Sequence, residues 1–184
     1  HIAGTIAQTT NNGEGVAGMA HGVTLMAVKV LGQDGTGTVS AIANGIRWAT
    51  DNGTDIINLS LGGANYTQTE LDACQYAYDK GVALFAASGN ENGTVGYPAA
   101  HDEYVVAVGA TDYDKERAPY SNYGASLDIV APGGNVNEDG NSDGYVDGIL
   151  QQTIAGDDDD PTTGYYDADY YFFQGTSMAC PHTV

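Results

Sequence analysis

Positive charge is what this 184-residue sequence has least of. Five Lys and Arg stand against 24 Asp and Glu, a formal net charge of −19 at pH 7. So acidic a surface repels phosphate backbones and anionic bilayers, so nucleic acid and membranes are excluded as expected partners. Long apolar runs are missing as well, and no stretch approaches the ~20 residues needed to span a bilayer. Only two cysteines occur, Cys74 and Cys180. Their spacing matches no metal or redox motif, and both read as buried free thiols. An initiating Met is absent, and the abrupt opening on His1 reads as a segment cut from something longer. What is present is glycine, 26 residues of it, in a chain that is 42% hydrophobic. That composition and length fit one turn-rich globular domain with a real core.

Apolar patterning alternates through the middle of the chain. The run VTLMAVKVL (23–31) is continuous and rich in branched residues, as in a strand buried on both faces. Next, VSAIANGIRWATDNG (39–53) places Val39, Ile42, Ile46 and Ala49 at helical spacing, with Gly53 as a stop. DIINLSL (55–61) reads as a strand. TQTELDACQYAYDKG (67–81) reads as a helix, with Thr67 and Glu70 spaced for a capping box and Gly81 at its end. VALFAAS (82–88) and YVVAVGAT (104–111) are further strands. Repeated strand–helix–strand units predict an α/β fold, a doubly wound, mainly parallel sheet with helices on both faces.

Ligands of such sheets bind outside the carboxyl ends of the strands. Three Gly-rich polar segments are expected there: GQDGTGT (32–38), SLGG (60–63) and SGNENGT (88–94). None is a phosphate-binding loop, because no Gly-Lys-Ser/Thr follows and the surrounding charge opposes phosphate.

The blocks HIAGTIA, VKVLGQDGTG, INLSLGG, AASGN, VGYPA, DIVAPGG and GTSMACPH occur in one order. Together they resemble the subtilisin-like serine proteases, the subtilases, over nearly the whole chain except roughly 135–171. The resemblance implies a subtilisin-like fold and a secreted, monomeric endopeptidase of broad specificity acting on polypeptides. It implies Ser177 as nucleophile and Asn90 as side-chain donor to the developing oxyanion. A helix opening after Gly175-Thr176 would set the Ser177 hydroxyl at a positive helix end. Gly35, Thr36 and Gly37, with Ser60, Leu61 and Gly62, match the two backbone segments that clamp an extended peptide. Ala87, Ser88, Gly89, Glu91 and Gly96 match the primary specificity pocket. With Gly96 at its floor, that pocket would admit a large apolar side chain, and Glu91 at its rim could accept a basic one.

A serine nucleophile needs a general base and an orienting carboxylate. His21 and His101 each precede an expected strand, at the wrong edge of the sheet, and His182 lies five residues after Ser177. The family motif reads His-Gly-Thr-His-Val/Ile-Ala-Gly-Thr, its first His being catalytic. His1, followed by Ile2-Ala3-Gly4-Thr5, matches the second. The catalytic His and Asp are therefore expected upstream of residue 1, and residues 1–184 are expected to be one partial peptidase domain.

Residues 135–171 form an acidic insertion with ten of the 24 acids. Within it, DGNSDGYVD places Asp139, Asn141, Asp143, Gly144 and Asp147 at positions one, three, five, six and nine of a calcium loop. Tyr145 would add its carbonyl. Leu150 stands where an EF-hand has its bidentate Glu, so the segment is closer to the shorter calcium loops of extracellular proteins. The resemblance implies a second Ca²⁺ site in TTNNGEGV (9–16), with Asn12 and Val16 as ligands. GDDDDP (156–161) reads as a solvated loop. An alternative reading is a non-catalytic, calcium-stabilised binding domain on the same fold.

Overall fold

The computed structural model describes residues 1–154 and 168–184. The central sheet has four parallel strands in the order β1 (Ile56–Leu59), β2 (Ala83–Ala87), β3 (Val105–Thr111), β4 (Ile129–Pro132). Their pairing is in step, Ile56 with Ala83, Leu84 with Val105 and Val108 with Ile129. Side chains alternate across the sheet, as the two-residue period of a strand requires. Leu84, Ala86, Val105 and Ala107 enter one core cluster; Ala87, Val108 and Ala110 enter the other.

A short helix α1 (Ile2–Ala7) opens the chain. The first core cluster is covered by α2 (Val39–Asp51) and α3 (Gln68–Asp79), which pack together. Helix α2 starts where the Thr38 hydroxyl accepts the Ala41 N–H at 3.1 Å, and its Ile42 and Ile46 are buried as their spacing predicts. Helix α3 starts on Thr67, whose hydroxyl accepts the Glu70 N–H at 3.4 Å. Both helices end before the expected glycines, Gly53 and Gly81. On the opposite face lie α4 (Thr176–Ala179) and a 3₁₀ turn, Cys180–His182. Helices thus cover both faces of a parallel sheet, the doubly wound arrangement. An antiparallel pair, β5 (Ile149–Ile154) with β6 (Ala168–Phe173), completes the described elements. Both cysteines are free and buried.

Three expectations change. Residues 23–31 form no strand: Val23 and Leu25 are 50% and 46% exposed, and cover is found only by Val28 and Val30, against Gly45 of α2, and by Leu31, beside Gly37. An apolar run signals a need for burial, but a parallel strand also needs a hydrogen-bonded neighbour, and among the described residues this one has none. Residues 88–104 and 112–128 cross between strands without a helix, so a strand–helix–strand unit is complete only from β1 to β2. The capping box at Thr67 is only half built. The Glu70 carboxylate is buried, 3.5 Å from His101 Nε2, because a charge taken inside must find a partner there. After Ser177 the chain runs as α4 to Ala179 and then as the 3₁₀ turn Cys180–His182. The segment 156–161 lies outside the described residues.

Candidate active site

Strands β1 and β2 end side by side, and the turn into α4 reaches their carboxyl edge from the other face of the sheet. Ser177 Oγ donates to the Ser60 carbonyl at 3.3 Å, and Ser60 Oγ donates back to the Ser177 carbonyl at 2.8 Å. Asn58 Nδ2, 3.0 Å from Ser60 Oγ, holds that hydroxyl in turn. Gly175 begins the turn at φ 146°, a conformation that side chains with a Cβ rarely adopt.

Asn90 is held by the residue beside the serine. Its Oδ1 accepts the Thr176 N–H at 2.9 Å and the Thr176 hydroxyl at 3.0 Å. A backbone N–H can only donate, so the oxygen must face Thr176, which makes Nδ2 the outward, donating end of the amide. Thr176, fully buried, also accepts the Gly89 N–H at 3.2 Å. The arrangement brings a serine hydroxyl and a fixed amide donor to one turn, the pair needed to attack a carbonyl and stabilise the anion that forms.

The segment 88–96 is organised by Asn122, 3% exposed. Its Oδ1 accepts from the Glu91 and Gly93 N–H groups, both at 2.9 Å, while Nδ2 donates to Ser88 O at 3.1 Å and to Glu91 Oε2 at 2.8 Å. Gly89 (φ 108°) leaves room for this amide, since a Cβ there would lie 2.2 Å from Asn122 Nδ2. Gly96 N–H donates to Ser88 O, and Gly63 pairs with Tyr97. Ala87, Ser88, Gly89, Glu91 and Gly96 are therefore brought to one place. Glu91 has a prior partner in Asn122, which reduces its freedom to meet a basic side chain.

The two expected peptide-clamping segments differ. In 35–37, Thr36 is committed internally. Its N–H and hydroxyl donate to the Asp34 carboxylate at 3.0 and 2.8 Å, and its carbonyl accepts from Gly32 N–H. Those bonds hold the Asp34 carboxyl below its ordinary value. Gly35 N–H is committed as well, to Gly32 O at 3.2 Å, so Gly37 is left to carry most of any pairing with a peptide. In 60–62, the Ser60 carbonyl is occupied by Ser177, while Leu61 packs on the core and Gly62 approaches the Tyr97 carbonyl.

No histidine hydrogen-bonds Ser177 among the described residues. His1 Nε2 lies 2.9 Å from Ile149 O, with its ring stacked on Phe173. His182 Nδ1 faces Met178 O at 2.8 Å, and burial lowers its pKa. His101 is enclosed with Glu70, Tyr66 and Tyr97, and His21 is exposed. Burial pushes the Cys180 thiol up to about 12, so it is no competing nucleophile.

In the acidic loop the carboxylates turn inward on their own backbone. Asp139 accepts from the Asp143 and Gly144 N–H groups, Asp143 from Tyr145 N–H and Asn141 Nδ2, and Asp147 from Gly140 N–H. Asn12 likewise accepts from Glu14 N–H, and Val16 is half-buried. Among the described residues no three His, Cys, Asp or Glu side chains converge as a metal group. A cavity of about 440 Å³ lies between this loop and the Thr111–Lys115 turn, away from Ser177.

Sequence reasoning missed Thr176, Asn122 and Tyr120, whose hydroxyl meets the Gly175 N–H at 3.0 Å. Thr176 adjoins Ser177, and that proximity was a usable signal. Asn122 and Tyr120 act across gaps of 14 to 55 residues and left none.

Fold and site together define an α/β protein with a serine hydroxyl and a fixed asparagine amide at the carboxyl edge of a parallel sheet. The subtilase family, peptidase class S8, matches residues 1–183, and the chain belongs to that family. It is 44% identical over 185 residues to subtilisin Savinase of Lederbergia lenta and 41% identical over 189 residues to subtilisin DY of Bacillus licheniformis. Each match covers all of this chain and 59% of the relative. A solved protease structure from Pseudoalteromonas arctica superposes with a TM-score of 0.85 at 37% identity, covering 99% of this chain and 54% of that one. The chain thus spans little more than half the length of these relatives.

Proposed function

We propose that this chain forms the nucleophile-bearing part of a secreted serine endopeptidase, which cleaves peptide bonds through an acyl-enzyme on Ser177. The observation that carries the reading is the Thr176 clamp, which fixes Asn90 with its amide donor outward beside Ser177. In the reaction, Ser177 Oγ leaves its weak bond to Ser60 O and attacks the substrate carbonyl. The anion formed on that oxygen receives the Asn90 amide. None of the four histidines is placed to take the Ser177 proton, so the base and its orienting carboxylate come from outside residues 1–184. These 184 residues alone are expected to be inactive.

The substrate lies extended between Gly35–Gly37 and Ser60–Gly62, held by main-chain bonds that make little demand on its sequence. Its principal side chain enters the space bounded by Ala87, Ser88, Gly89, Glu91 and Gly96. The protein acts as an extracellular monomer, and its acidic surface opposes nucleic acid and anionic membranes as partners.

Calcium is the cofactor of this reading. The oxygens of Asp139, Asn141, Asp143 and Asp147 and the Tyr145 carbonyl suit a hard cation in donor type. They would have to exchange their loop N–H partners for it. Asn12 and Val16 would contribute to a second ion. Either would supply structural stability and take no part in the chemistry.

The decisive experiment is labelling of the active enzyme that carries this chain by an organophosphonate, with the adduct located by peptide mass mapping. Modification of Ser177, and loss of both labelling and peptide hydrolysis in Ser177→Ala, are expected. Hydrolysis that survives in Ser177→Ala would overturn Ser177 as nucleophile, and the absence of both labelling and hydrolysis in the unaltered protein would replace this reading with that of a non-catalytic binding domain.

A further inference from the structure

The turn that presents Ser177 is tied to the strand behind it at a single crossing point. Gly175 N–H lies 3.0 Å from both the Gly133 carbonyl and the Tyr120 hydroxyl oxygen. The Tyr120 hydroxyl is also 2.8 Å from the Gly134 carbonyl. A hydroxyl carries one proton, and a carbonyl can only accept. Tyr120 therefore donates to Gly134 and accepts from Gly175, bridging two chain segments with one oxygen. One residue earlier, Gln174 Oε1 accepts the Val136 N–H at 2.7 Å.

The oxygen is itself well anchored. The Tyr120 ring packs against the cluster of Ala87, Val108, Ala110, Ala118, Ala131, Ala179 and Cys180 on the α4 face of the sheet. Burial raises the phenol to about 12, so it remains a protonated donor across the neutral and alkaline range. Downstream of the clasp come Thr176, which orients Asn90, and then Ser177. A shift of Gly175 would move nucleophile and oxyanion donor together relative to a substrate held by 35–37 and 60–62.

We propose that the Tyr120 hydroxyl is a positioning group for the reaction, setting the turn that carries Ser177 and Thr176 by holding Gly175 against Gly134. This rests on Ser177 being the nucleophile. Through Gly134, the first residue before the acidic loop, the clasp also joins the base of that loop to the nucleophile turn.

The test is Tyr120→Phe in the active enzyme that carries this chain, because it deletes one oxygen and keeps the packed ring. A misplacement near 1 Å can cost about a hundredfold in rate, and the Gly133 bond remains, so a drop in kcat of roughly tenfold is expected. KM for the same peptide should stay within about twofold, and phosphonate labelling of Ser177 should slow by a similar factor to kcat while still reaching completion. Complete labelling shows that the variant is folded, which separates positioning from loss of structure. Gln174→Leu, which removes the neighbouring tie, should give a smaller change of the same kind. Unchanged kcat in Tyr120→Phe, or a fall matched by incomplete labelling, would overturn the proposal while leaving Ser177 in place as nucleophile. Activity in a parallel Ser177→Ala sample would overturn the nucleophile reading, and the positioning role with it.

Discussion

The turn that carries Ser177 and the acidic loop are joined at their bases, yet they satisfy their polar groups in opposite ways. Around Ser177 the partners are distant in the chain. Asn90 and Thr176 are 86 residues apart, and Ser60 and Ser177 are 117 apart. In the loop 139–147 these side-chain bonds reach only two to seven residues along the chain. The first network exists only once the sheet has brought strand ends together, so forming it depends on the whole fold. The second can form within a short peptide, and its bonds are exposed to water, where each contributes little. Long-range bonds therefore supply positional accuracy, while local ones leave a segment free to exchange its partners for a ligand.

The strongest way to break this contrast is to remove the distant network at its working end. Asn90→Ala should lower kcat in the active enzyme by ~10²–10³ with little change in KM, a magnitude carried over from the oxyanion donor of subtilisin, a relative of this chain. A comparable loss from Asp139→Ala would show that the two regions do not differ in kind.

Next in size is the buried hub of the specificity segment. Asn122→Ala leaves the Glu91 and Gly93 N–H groups without their partner, while the Ser88 carbonyl keeps the Gly96 N–H. An unpaired buried group costs ~1–3 kcal/mol and these two are only partly buried, so a loss of about 2 kcal/mol in unfolding free energy is expected. Chemical denaturation would measure it, and a change under about 1 kcal/mol would show that the segment holds itself.

The acidic loop should respond to its ligand and not to its own bonds. With a dissociation constant on the order of 10⁻⁴–10⁻³ M, as in extracellular calcium modules, ~1 mM free calcium should stabilise by about 0.4–1.4 kcal/mol. Chelation should lower the melting temperature and speed cleavage near 135–171. Asp143→Ala should remove part of that dependence, leaving any contribution from the 9–16 loop. An unchanged calcium response in both Asp139→Ala and Asp143→Ala would reduce the loop to an acidic surface segment.

A local bond at the edge of the core gives a calibration between the extremes. Thr38→Ala deletes the α2 cap and should cost ~1 kcal/mol, read from the shift in denaturation midpoint.

The smallest effect concerns Asp34, whose carboxyl is held low chiefly by the Thr36 N–H. A depressed folded-state pKa means that its contribution is present above the unfolded value of 3.8 and is lost as pH falls through the lower folded value. The side chain is exposed, so acidification should loosen residues 32–38 without unfolding the protein. NMR titration of Asp34 should place its midpoint below 3.8, and a midpoint at or above that value would mean that the Thr36 bonds do not persist in solution.

By itself the sequence determined what depends on neighbours. The periodicity of α2 and α3, their Thr38 and Thr67 caps, the parallel strands 56–59, 83–87 and 105–111, and the Asx-type turns of 139–147 all follow from residues within one or two turns of each other. Ser177 and Asn90 were legible because their short motifs resemble a family, not because local physics demands their roles. Tertiary structure decided the rest. It left 23–31 without a ladder partner, although the apolar run alone asked for burial. It took the Glu70 carboxylate from its helix cap and set it against His101. It brought Thr176, Asn122 and Tyr120 to the strand ends, where their bonds fix the Asn90 amide, the 88–96 segment and the Gly175 turn. Hydrophobic period is a one-dimensional signal. Which hydroxyl or amide meets which backbone group across 14 to 117 residues depends on how the sheet stacks its strand ends, and no local pattern encodes that.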